Sequence, residues 1–73
     1  MDIEKLEVGK KYTKTHSMGQ PNNTVLILSV TDEFHPKWGK YKEAFVEYVS
    51  EGCSNGLRIG MNKIECERYL REI

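Results

Sequence analysis

Two apolar runs separated by nine residues fix most of what this chain can fold into. Thr24 to Thr31, TVLILSVT, is rich in β-branched residues and lies between turn formers, which reads as a strand. Tyr41 to Val49, YKEAFVEYV, reads as a second. Between them Asp32 to Lys40 contains Pro36 and Gly39, and the pattern there reads as a long hairpin loop. Strict alternation assigns Ala44, Val46 and Tyr48 to a core face, with Glu43, Phe45, Glu47 and Val49 opposite. In the first run it sets Leu26, Leu28 and Val30 on the core side, and Val25 and Ile27 on the other.

The flanking segments add smaller elements. The first half-dozen residues suit a single helical turn or a frayed end. Residues 5–13 alternate, with Leu6, Val8 and Tyr12 as inward candidates and Gly9 as a bend. Residues 16–23 are rich in turn formers, and His16, Gln20 and Asn22 are candidate polar contacts there. Asn55-Gly56 signals a tight reversal, followed by a short strand from Leu57 to Met61. The C-terminal residues read as a helix. Asn62 serves as N-cap, Glu65 completes a capping box, and Met61 and Cys66 form a hydrophobic staple. Cys66, Tyr69, Leu70 and Ile73 make its apolar stripe, and Glu67 and Arg71 pair across one turn of the wet side.

These elements predict one domain over residues 1–73, mainly β. The architecture expected is a small, partly open antiparallel barrel of four or five strands with a short C-terminal helix. A chain of 73 residues buries only about 60% of its unfolded surface, so the core is thin. That disfavours a deep, water-excluding active site. The opening LEVGKKY, and TVLILSVTDE followed by a loop and YKEAFVEYV, resemble the first strand and central hairpin of SH3-like barrels. The resemblance implies a binding module and nothing narrower. The ALYDY-type motif of polyproline-binding SH3 domains is missing, so that specificity is not implied. Compact size, neutral charge and the lack of catalytic motifs also resemble small phage-encoded accessory and inhibitor proteins.

Charge narrows the partners. There are 11 basic and 11 acidic residues, balanced in each third of the chain, so no basic arm or acidic tail stands out. The polar opening Met1-Asp2-Ile3-Glu4-Lys5 is unlike a signal peptide, and Val25 to Leu28 is the longest apolar run, so a cytoplasmic protein that does not cross a membrane is expected. Zinc would need His16, His35, Cys53 and Cys66, whose gaps match no short ligand spacing. Cys53 reads as a turn thiol, with His16 or His35 as the only available bases, and Cys66 as a small core residue. No catalytic motif is present. The chain is read as a non-enzyme without cofactor or metal.

The segment Phe34-His35-Pro36-Lys37-Trp38-Gly39-Lys40-Tyr41 carries three aromatics, one His and two Lys in eight residues, including the single Trp. As a contact surface it would pack on another protein. As a stacking platform beside lysines it would hold single-stranded nucleic acid or a nucleotide. As a structural element, Phe34 and Trp38 would fold back and plug the barrel. A second candidate surface is the face opposite the core, where Val25, Ile27, Phe45 and Val49 would form an apolar patch for a partner or a second copy.

Overall fold

A computed structural model describes residues 1–16, 20–50 and 55–73. Cys53 lies outside these residues. The chain is mainly β. Five strands, β1 (Lys11–Lys14), β2 (Asn23–His35), β3 (Gly39–Tyr48), β4 (Arg58–Asn62) and β5 (Leu70–Glu72), form one antiparallel sheet in the order β4-β3-β2-β1-β5. The edge strands β4 and β5 are joined by one short helix, α1 (Lys63–Tyr69), so the sheet curls into a partly open barrel. A 3-10 turn (Ile3–Lys5), capped by the Asp2 carboxylate, which accepts the Glu4 N–H at 3.0 Å, precedes the sheet.

The core draws on every element: Ile3, Leu6, Tyr12, Val25, Ile27, Ala44, Val46, Tyr48, Met61, Cys66 and Leu70. Tyr12 is fully buried, and its hydroxyl accepts the Glu7 N–H at 3.0 Å, so its polar end is satisfied. Val8, expected inside, is exposed, because the chain turns at Gly9 (φ 86°) before β1 begins.

The expected face of β2 is reversed. Val25 and Ile27 are 0% and 1% exposed and belong to the core, not to an outer patch. The cause is a β-bulge. Ile27 pairs with Val46 and Ser29 with Phe45, leaving Leu28 without a partner. An inserted residue shifts the alternation by one, so odd positions face inward before the bulge and Val30 faces inward after it. The expected surface of Val25, Ile27, Phe45 and Val49 is therefore not assembled. Phe45 alone of these four is exposed, on the outer face opposite Gly60, whose missing side chain leaves room for the ring and for the Glu43 carboxylate.

The helix starts as expected and ends early. Asn62 Oδ1 accepts the Glu65 N–H at 2.9 Å, and Glu65 Oε1 accepts the Asn62 N–H at 3.1 Å, a complete capping box. After Tyr69 the chain becomes β5, which pairs Leu70, Arg71 and Glu72 with Lys14, Thr13 and Tyr12. Ile73 is consequently exposed rather than part of a helical stripe. Arg71 donates to the carbonyls of Glu67 and Leu70 rather than to the Glu67 carboxylate. The Met1 ammonium completes the helix end, donating to the carbonyls of Cys66 (2.7 Å), Leu70 (3.0 Å) and Glu67 (3.2 Å).

Candidate functional site

The segment expected to be a loop is a β-arm. Val30↔Ala44 is the last cross-strand pair that contributes to the core. Five further pairs, Thr31↔Glu43 to His35↔Gly39, continue the hairpin beyond it, projecting roughly 17 Å at the usual rise per residue. Only Pro36, Lys37 and Trp38 form the tip, and Gly39 closes it in the left-handed region (φ 79°), which is open to glycine. A two-stranded ribbon alone is marginal in water, so this arm is held by its continuity with the barrel.

The aromatics of the arm do not fold back. Trp38 is 73% and Phe34 69% exposed, which excludes the plug. Tyr41 is partly exposed. The indole stacks on the His35 imidazole, with ring centroids 4.0 Å apart and planes at 17°. The Lys37 N–H donates to His35 Nδ1 at 3.0 Å, so this nitrogen is the acceptor and fixes the ring beneath the indole. Lys37 and Lys40 are exposed beside them.

The arm overhangs the start of α1. Between them lies a groove of about 440 Å3 with Trp38, Tyr41 and Ile64 as its apolar surface and Lys42 and Lys63 beside them. Ile64, in the first turn of α1, is 60% exposed. A second hollow, of about 340 Å3, opens between the arm and the 3-10 turn, and Lys40, Lys42 and Lys63 all border it. Lys42 pairs with Asp32 across the arm at 3.5 Å. Among the described residues Lys40 and Lys63 form no ion pair. Of the groove's carboxylates, Glu65 is engaged with Asn62 and Glu43 lies over Gly60.

Two candidates for chemistry separate. Cys66 is buried, and that burial pushes its thiol up to about 11, leaving it a neutral core group rather than a nucleophile. His16 lies near Lys14 (3.5 Å) and the Asn23 side-chain amide (3.2 Å), and its pKa is lowered by desolvation and then by the Lys14 ammonium. Lys14 itself sits over the rings of Tyr69 and Tyr48, at 5.4 and 5.8 Å. Among the described residues no three His, Cys, Asp or Glu side chains gather as a metal cluster would require, and no helix is long and apolar enough to cross a membrane.

Of the residues singled out in the sequence, Phe34, His35, Lys37, Trp38, Lys40 and Tyr41 all lie on the arm. They divide between its faces. Phe34 and Lys40 share the side of Val30 and Ala44, whereas His35 and Tyr41 share the side of Phe45. Lys42, Lys63 and Ile64 were not singled out. Ile64 had a signal: it is an apolar residue off the Cys66–Tyr69–Leu70 stripe, and such a position faces outward. Comparison with protein-family models, with curated proteins and with solved structures gives no match.

Proposed function

We propose that this chain is a non-enzymatic protein-binding module, a small inhibitor or adaptor acting in the cytoplasm, whose contact surface is the β2–β3 arm and the groove between it and α1. The observation that carries this reading is the placement of Trp38, Tyr41 and Ile64. Three large apolar side chains stand partly or mostly in water around one groove, Trp38 and Tyr41 on a hairpin extended beyond the core and Ile64 on α1. Aromatic anchors beside a concavity are what protein interfaces concentrate their energy in. The buried free thiol of Cys66 fits a reducing compartment.

The test is affinity capture from cells that make the protein, with wild type and Trp38→Ala as baits and mass spectrometry as readout. One stoichiometric protein retained by wild type and lost from a folded Trp38→Ala supports the reading. Equal retention by both overturns it.

A second reading is favoured by the His35–Trp38 stack. One indole face is occupied by imidazole and the other is open, with Lys37 and Lys40 nearby, as a base-stacking platform for single-stranded nucleic acid or a nucleotide requires. Nuclease-sensitive capture, or quenching of Trp38 by an oligonucleotide, would favour it over the first.

A further inference from the structure

The arm leaves a length of strand edge open beside the groove. β4 pairs with β3 only from Glu47 to Glu43, and the chain then departs into α1. Gly39 to Lys42 keep β2 on one side and, among the described residues, have no strand on the other.

The direction of the backbone groups follows from the ladder. The Tyr48 N–H donates to the Leu57 carbonyl and the Tyr48 carbonyl accepts the Gly56 N–H, so Tyr48 points toward β4. Antiparallel strands alternate this direction residue by residue. The bulge is in β2, and the β3–β4 register is regular, so even positions of β3 keep pointing to the β4 side. Lys40 and Lys42 therefore aim their N–H and carbonyl groups at the space β4 has left. None of the hydrogen bonds among the described turns, loops and caps engages them.

We infer that this edge takes an extended segment of a partner protein as an added strand, and that the segment alternates acidic and apolar side chains. The inference rests on the protein-binding reading above and names what that site binds. Strand addition supplies main-chain bonds from an exposed edge and sorts partners through alternate side chains. On one face of the added strand, side chains meet Lys40 and Lys42 with Lys63 nearby; Glu4 and Asp32 border the same hollow and Lys42 is paired with Asp32, so the cations that form no ion pair among the described residues are Lys40 and Lys63. Carboxylates complement that face. On the other face they meet Tyr41, in the groove shared with Trp38 and Ile64, where apolar side chains are complementary. The edge is short and carries lysines, which guards it against indiscriminate pairing and leaves it selective for acidic strands.

The test is selection from a displayed library of random 12-residue peptides against the full chain. Enriched peptides alternate acidic and apolar residues, and bind at least tenfold more weakly to Lys40→Glu and to Trp38→Ala. N-methylation of peptide amides at alternate positions lowers affinity at least tenfold, and methylation at the intervening positions does not. On binding, the Lys40 and Lys42 amide protons become protected from exchange. Peptides that need Trp38 but show neither acidic preference nor N-methyl sensitivity overturn the strand addition and leave the protein-binding reading standing. Binding unaffected by Trp38→Ala, or no enrichment while an oligo-dT probe quenches Trp38, overturns both. Circular dichroism verifies that each variant is folded, which exposed positions on the arm allow.

Discussion

The indole of Trp38 lies flat on the imidazole of His35, 4.0 Å from centroid to centroid, and the Lys37 N–H bound to His35 Nδ1 holds that imidazole in place. Three residues within four positions at the end of the hairpin thus preset an exposed aromatic. A preset side chain loses less freedom on binding than a mobile one, which favours affinity. His35→Ala removes both the stacking partner and the acceptor. Acrylamide quenching of Trp38 should rise while the thermal midpoint stays nearly unchanged, because neither residue supports the core. Unchanged quenching would show that the stack does not restrain the indole.

The bulge at Leu28 makes a contrast between neighbours. Ile27→Ala removes a core side chain and should destabilise the fold by about 2–5 kcal/mol in urea unfolding. Phe45→Glu, on the outer face, should stay folded and change stability by less than about 1 kcal/mol, the usual range for a surface substitution. If Phe45→Glu unfolds the protein and Ile27→Ala does not, the inward and outward assignments are exchanged.

Two glycines separate backbone need from side-chain space. Gly39→Ala forces a left-handed φ on alanine at the arm's tip and should cost about 1–2 kcal/mol. Gly60→Ala meets the movable end of Glu43 and lies at ordinary contact, 3.5 Å, from the Phe45 ring, with no positive φ to strain. It should be tolerated within about 1 kcal/mol. Equal losses in denaturant titrations would contradict the distinction.

The Met1 ammonium bridges the carbonyls at the end of α1, where a positive charge is favoured. Acetylating this amine removes the charge and most of the donors. Stability should fall by about 1 kcal/mol or more, read as a lower urea midpoint. An unchanged midpoint would deny the bridge a stabilising role.

The Cys66 thiol gives a pH signature. Its folded pKa is raised to about 11 from an ordinary 9.0, so the unfolded chain loses this proton first as pH rises. The stabilisation is complete below about 9 and is lost progressively up to about 11. Cys66→Ala should be less stable at pH 8 and should lose less stability than wild type between pH 9 and 11. Parallel losses would place Cys66 in a more polar setting.

Much of this frame was legible where local chemistry governs. Asn62 and Glu65 stand at capping-box spacing and form the box, and Ala44, Val46 and Tyr48 alternate and are buried. The inward face of β2 was not legible, because Val25, Leu26, Ile27 and Leu28 are all apolar and a bulge among them leaves no compositional trace. The end of α1 was not legible either. Leu70 and Arg71 suit a helix, and only the open edge of β1 at Tyr12 to Lys14 draws them into a strand. Pro36 and Gly39 signalled a break, but they mark only the tip, since Thr31 to His35 and Gly39 to Glu43 sustain pairing on both sides of it. The arm was found as a cluster of residues, and its groove with Ile64 required the fold.

The central claim is that Trp38 becomes buried when the protein engages its partner. Trp38 is the single tryptophan, so 5-fluorotryptophan labelling places one 19F probe at the arm's tip. Adding the captured partner should shift and broaden this resonance and abolish its solvent isotope shift, as 73% exposure gives way to contact. A stoichiometric complex, verified by mass, in which the Trp38 resonance stays unshifted and solvent-exposed would contradict the account.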